Sequence, residues 1–373
     1  MDTNITIIGA GVIGLAIAAK LSEKFSGIFV LEKNVKFGQE TSSRNSEVIH
    51  SGIYYPTNSL KATLCVKGNK MLYEYCIKKS INHKKIGKLV VATDSQEEII
   101  LQKVLTQSRA NGVTDGVMLS KEEALKLEPN VLCKSAIYFP STGIIDSHGL
   151  MKQLETDAII NQVLFAYNSE VVGIEMIDNG YKVIVKEVNG TYSFTTKIVI
   201  NAAGLNSDVI ASISNTFEPL YQLYYWKGEY FSVSNKKNAL IQHLVYPVPH
   251  ENNTGLGIHA TLDLDGRLKL GPDATFLNDR ITNYSVDKSK QEKFCNAARR
   301  YLPFIEMEDL NPDQSGIRPK LQKPGDSTRD FIIKDEHEKG HPNFINLIGI
   351  ESPGLTSCLA IAEMVSGFDV FRS

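Results

Sequence analysis

The apolar positions of this chain change period along its length, and each change marks an element. Residues 5–8 form an apolar run of strand length, residues 15–21 continue as a helix rich in Ala and Leu, and residues 28–31 make a second strand. Residues 59–79 carry Leu60, Leu64, Leu72, Tyr75 and Cys76 at roughly helical spacing, with Ser59 placed to cap them. The pattern next predicts a strand at 88–92 and a helix at 96–110. A capping box, Ser120 with Glu123, opens a short helix that ends before Pro129. Residues 136–139 read as a strand, and Asp146 opens a helix over 149–160. Strands follow at 163–167, 171–176 and 181–186, the last two joined by the hairpin signal Asp178-Asn179-Gly180. Residues 197–201 form an apolar strand that runs into small residues. Strands are predicted at 221–233, 240–246, 256–262 and 267–270, with an Asp-Gly turn between the last two. A helix at 287–301, a strand at 344–348 and a final helix to about residue 365 complete the chain.

Two glycine-bearing turns stand out against this pattern. Gly9-Ala10-Gly11-Val12-Ile13-Gly14 follows the first strand and opens the first helix, and Glu32 ends the second strand, 18 residues after Gly14. Gly9 permits the tight turn, Gly11 lets backbone approach a pyrophosphate, and Gly14 lets helix pack on strand. The helix N-terminus offers free N–H groups and positive dipole to phosphates, and Glu32 can accept from ribose hydroxyls. A plain strand–turn–helix is the alternative, and the motif alone does not separate FAD from NAD. At the far end, Gly349-Ile350-Glu351-Ser352-Pro353-Gly354-Leu355-Thr356 repeats strand, turn, helix. A helix start there suits the negative charge of a reduced flavin, which a nicotinamide enzyme does not need; a Gly-Pro helix start without ligand is the alternative. Thr41-Ser42-Ser43-Arg44-Asn45-Ser46 reads either as a polar surface loop or as a second phosphate clamp.

The fold expected from this order is α/β: a Rossmann-like nucleotide-binding domain with a discontinuous β-rich substrate domain. The nucleotide domain is drawn from 1–86, 146–218 and 315–373, and the substrate domain from 87–145 and 219–314.

Composition narrows the class without changing the fold. With 42% apolar and 22% charged residues over 373, this is an ordinary globular chain of two-domain length. A net charge of −2 gives no field for nucleic acid. Five scattered cysteines without C-x-x-C spacing suit a reducing compartment and predict neither disulfide nor structural metal. Glycines in motif spacing, Asp2 in place of a basic start, and Lys20 argue against reading residues 5–21 as a signal or membrane helix. No run reaches the ~18 apolar residues of a spanning helix, and no targeting extension is expected. The expected location is the cytoplasm, with peripheral contact at the inner membrane left open.

Several further stretches carry a resemblance: His50-Ser51-Gly52-Ile53-Tyr54-Tyr55, Ala202-Ala203-Gly204, Gly257-Ile258-His259, Ser315-Gly316-Ile317-Arg318-Pro319 and Ser352-Pro353-Gly354-Leu355-Thr356. With the N-terminal motif they make the chain resemble, over essentially its whole length, the FAD-dependent oxidoreductases of the D-amino-acid oxidase family. Within it the chain is most similar to the branch that oxidises L-2-hydroxyglutarate, and also resembles the glycerol-3-phosphate oxidases. The resemblance implies non-covalent FAD held by the glycine motif, Glu32, Lys33, residues 41–46, Val171, Ala203, Gly204, Gly349 and Pro353 to Thr356. It implies hydride transfer from a 2-hydroxy acid to flavin N5, with a quinone or oxygen as electron acceptor.

Histidine is the natural base for the alcohol proton at neutral pH. Of the eight histidines, His50 and His259 lie in these motifs, and with His50 as base kcat is expected to rise with pH through the histidine range. Arg318 matches the family position that holds the α-carboxylate, where a planar fork outperforms lysine. Tyr54 and Lys227 are expected beside it. For a distal carboxylate, Lys227, Lys269, Arg280 and Lys320 are all candidates. A glycerol-3-phosphate oxidase, another amine or hydroxy-acid oxidase of the family, a non-turning redox sensor and a nicotinamide enzyme are the competing readings.

Overall fold

A computed structural model describes residues 1–249 and 257–372. Among the described residues the chain builds two large sheets with the cavity discussed below between them. The first sheet has eight strands. Thr3–Ile8 lies parallel to Ile28–Leu31 on one side and to the end of Gly190–Asn201 on the other. Leu164–Ala166 extends it beyond Ile28–Leu31, and Phe344–Ile348 pairs in parallel with the end of Gly190–Asn201. The hairpin Glu170–Ile177 and Gly180–Glu187 closes one edge, its two-residue loop carrying Asn179 at a φ of 65°. Parallel strands need helical crossovers and burial on both faces. Helix Val12–Leu21 therefore reads as apolar on all sides: it lies between the sheet and helices Ser147–Ile160 and Gly354–Ser366.

The second sheet has nine strands, including Lys88–Ala92, Ser135–Phe139, Tyr224–Val233, Leu244–Pro247, Ala260–Leu262 and Leu310–Lys320. Strand Leu310–Lys320 pairs along its whole length with Tyr224–Val233 and so runs across the boundary expected at 315. A small sheet of Val48–Ile49, Gly143–Ile145 and His83–Lys84 joins the two halves. The strand expected at 256–262 forms as Ala260–Leu262, and Leu256 lies outside the described residues.

Local signals set several boundaries as expected. Ser59, Ser120 and Asp146 each cap their helix through the side chain, and Ser120 with Glu123 forms the full capping box. Among the described residues no helix is long and apolar enough to cross a membrane. All five cysteines are buried and unpaired.

Candidate active site

The parallel strands of the first sheet end on one side, and Ile8, Leu31, Ala202 and Leu347 at those ends border a cavity of about 1250 Å³. That is where open α/β sheets bind ligands, and it exceeds the ~300–1,000 Å³ of ordinary small-molecule sites. The opposite wall comes from the second sheet, with Gly228, Tyr230, Tyr246, His259 and Arg318.

At the strand ends the glycine motif makes the turn its spacing implies. Gly9 has a φ of +104°, and a Cβ there would stand 2.6 Å from the Ala202 carbonyl oxygen. A Cβ at Gly14 would meet the Gly9 carbonyl oxygen at 1.9 Å, so helix and strand touch through backbone. Helix Val12–Leu21 has Gly11 as N-cap and no side-chain cap, and Gly354–Ser366 begins equally uncapped at Pro353. Both starts border the cavity, and a helix leaves its first N–H groups without intrahelical partners. Ser42 Oγ accepts from Val12 N at 3.0 Å and ties the hydroxyl-rich loop to the first of these starts. Glu32 Oε2 accepts from Ala10 N at 2.9 Å, and Oε1 accepts from Asn34 N and Nδ2. Three bonds leave room on a carboxylate with about four acceptor sites, so bracing the loop and meeting a ribose are compatible.

His50 is held through its backbone. Its N–H donates to Thr356 Oγ1 at 3.0 Å, and its carbonyl accepts from Asn69 Nδ2 at 3.0 Å. Two helices, Leu60–Lys79 and Gly354–Ser366, thus fix one residue on the cavity wall, meeting at Gly68, where a Cβ would be 2.4 Å from the Thr356 carbonyl oxygen. Burial, with Lys88 and His259 nearby as like charges, pushes the His50 imidazole down to about 3. It is therefore neutral well below the ordinary histidine range, so a rise of kcat through that range does not come from it; its acid limb lies lower. His259 stacks on Tyr246 with ring centroids 3.7 Å apart. Lys88, which the sequence reading passed over, is 1% exposed with its ammonium 4.5 Å from the Tyr246 ring centroid, and burial pushes its pKa down to about 7. Its signal was a lysine opening an otherwise apolar strand.

Arg318 reaches the cavity because residue 228, two positions along the neighbouring strand from its register partner Trp226, has no side chain: a Cβ there would stand 2.7 Å from Arg318 Nη2. That nitrogen donates to the Asp273 and Lys227 carbonyls, which orients the fork. Tyr54 borders the cavity, and its buried hydroxyl has no partner among the described residues.

A model of the DAO family, described as FAD dependent oxidoreductase, matches residues 4–367. The chain belongs to this family. The mitochondrial L-2-hydroxyglutarate dehydrogenase of Arabidopsis thaliana is 39% identical to this DAO family member over 96% of the chain and 82% of its own. The glycerol 3-phosphate dehydrogenase of Caloramator mitchellensis is 34% identical over 97% and 72%. The dithionite-reduced L-alpha-glycerophosphate oxidase of Mycoplasma pneumoniae, with FAD bound, superposes at a TM-score of 0.89 and 30% identity, over 100% of this chain and 96% of that one.

FAD is the cofactor of the family, and the cavity suits it. A Cβ at Gly11 would stand 3.0 Å from Ser42 Oγ, inside the cradle a pyrophosphate would use. Arg44 Nε is buried without a hydrogen-bond partner among the described residues, and Arg44 borders the same cavity. Of the residues expected at FAD, Gly9, Gly11, Val12, Ile13, Glu32, Lys33, Thr41, Ser42, Arg44, Asn45, Ser46, Val171, Ala203, Gly204, Pro353, Gly354 and Leu355 border the cavity. Ala10, Gly14, Ser43, Gly349 and Thr356 stand behind that wall and shape it. Ser43 Oγ is turned back to the Glu40 carbonyl, and Gly349 has a φ of +72°. Lys227, expected at the substrate, is not on the wall: its Nζ donates to the Ser285 carbonyl and lies 3.4 Å from Glu229. It sits in register with Ile317, one residue away from the Trp226–Arg318 pair, so its side chain leaves the other face of the sheet.

Proposed function

We propose that this protein oxidises L-2-hydroxyglutarate to 2-oxoglutarate with non-covalently bound FAD. The observation that carries the reading is the position of Arg318, His50 and His259 on the walls of the same cavity as the glycine motif. The identity to L-2-hydroxyglutarate dehydrogenases supports the choice of substrate.

Bound FAD supplies the acceptor for the hydride that leaves the carbinol carbon. Arg318 holds the α-carboxylate, its fork oriented by the Asp273 and Lys227 carbonyls. The hydroxyl of a substrate so held donates to an imidazole nitrogen of His50, which takes the proton as the carbonyl forms. Thr356 and Asn69 keep that imidazole from retreating. His259, stiffened by its stack on Tyr246, closes the site from the second sheet and positions the alcohol. The unpartnered Tyr54 hydroxyl gains a bond from the substrate. A quinone or oxygen is the final electron acceptor.

The test is anaerobic mixing of the yellow protein with L-2-hydroxyglutarate, D-2-hydroxyglutarate, L-amino acids and glycerol 3-phosphate. Bleaching by the first alone is expected. Bleaching by glycerol 3-phosphate in its place would assign the glycerol phosphate reaction, and no bleaching by any would remove the enzyme reading. Acid precipitation should release the flavin into the supernatant.

A further inference from the structure

A five-carbon diacid brings a second carboxylate that Arg318 leaves without a counter-charge. The cations of the sequence reading are not equivalent in space. Lys227 is turned away, Lys269 lies between Asp263 and Asp313 at 3.5 and 3.8 Å, and Arg280 makes a two-pronged pair with Asp208. Lys293 borders the cavity but is 61% exposed and 3.6 Å from Asp273, a pairing in water worth little.

Lys320 differs from all of these. It stands two residues from Arg318 on the same strand, Leu310–Lys320, so both side chains leave one face of it. Two residues of strand span about 6.8 Å, comparable with the reach of an extended five-carbon diacid. Both residues border the cavity. Lys320 Nζ is 3.6 Å from Glu351 Oε2, while Lys61 Nζ holds Glu351 Oε1 at 2.9 Å. Two cations share one anion, so the cluster carries one uncompensated positive charge. All three residues border the cavity, but Lys61 is 4% exposed and makes the tighter contact, whereas Lys320, at 22%, is the looser and more exposed partner. Burial pushes the Lys320 ammonium below its ordinary range against the pull of Glu351, so an arriving carboxylate relieves a strained charge.

We propose that Lys320 binds the distal carboxylate of the substrate, held in place by the Lys61–Glu351 pair, and so selects 2-hydroxy diacids over 2-hydroxy monoacids. This rests on the reading of Arg318 as the α-carboxylate site. The experiment compares kcat/KM for L-2-hydroxyglutarate and L-2-hydroxybutyrate, and the calorimetric Kd of glutarate and butyrate, in FAD-loaded wild type, K320M, K320R and K269Q. Wild type should prefer the diacid in both measurements. K320M should lose roughly 10- to 100-fold on the diacid and on glutarate, the worth of one charge-assisted hydrogen bond, with the monoacid within about twofold. K320R should keep the preference and K269Q should match wild type. An unchanged diacid-to-monoacid ratio in folded, FAD-loaded K320M would overturn the assignment. Should K320M fail to fold, equal wild-type affinity for glutarate and butyrate, or loss of preference in K320R, would overturn it. Wild type that turns over neither acid would instead overturn the underlying reading of the substrate.

Discussion

Arg318 points into the cavity because Gly228 leaves it the space. Gly228→Ala should push the guanidinium off its place, lowering kcat/KM by about 10²-fold, the cost of a misplacement near 1 Å, with FAD content unchanged. Normal kinetics in that variant would show that the fork tolerates displacement. His50 carries a second expectation at this scale. Its lowered pKa means the neutral imidazole persists far below the ~6.5 of an ordinary histidine, so the acid limb of kcat/KM should lie well below that value. Lys88→Met removes one of the charges that disfavour the imidazolium, so the limb should move upward. A wild-type limb near ~6.5, or no shift in the variant, would contradict the account. That Arg318 and His50 border one cavity was legible from the motifs that hold them. Lys227 and Lys320 were not separable in sequence. Which face a strand residue takes depends on register, and the pairing of Trp226 with Arg318 is a property of two segments far apart in the chain.

At the scale of elements, the site depends on two uncapped helix starts and on one helix crossing. Ser59, Asp94, Ser120 and Asp146 cap helices by side chain, whereas Gly11 and Pro353 do not, and those open ends border the cavity. Thr356 couples the second open helix to His50. Thr356→Val keeps the shape but leaves the His50 N–H without its acceptor. Thermal or urea unfolding should show a loss of about 1–3 kcal/mol, and flavin reduction by substrate should slow. Unaltered stability together with an unaltered rate would mean that the bond does not place His50. Most helices and the N-terminal strands were readable, because caps, glycines and apolar period agreed. Strand Leu310–Lys320 was not, because Pro312 and Pro319 interrupt its pattern. Among the described residues it pairs with Tyr224–Val233 alone and so lies at an edge, where a missing donor costs nothing.

At the scale of the whole molecule, the cavity exists because residues from both ends of the chain meet. Thr3–Ile8 and Phe344–Ile348 flank Gly190–Asn201, and the second sheet lies across their ends. That strands from both ends share one sheet was legible from two glycine turns at opposite ends. Its seam was not, since Leu310–Lys320 runs unbroken across residue 315 and carries Arg318 and Lys320 on the second sheet. A flavin site at the strand ends, a carboxylate fork on the facing sheet and a neutral imidazole between helices would have to act together. One measurement addresses them together, the rapid-mixing rate at which L-2-hydroxyglutarate bleaches the bound flavin under anaerobic conditions, in wild type and in His50→Ala. The account expects bleaching in wild type and a rate lower by roughly 10²–10⁴-fold in the variant, with FAD still bound. A variant that bleaches at the wild-type rate would contradict it.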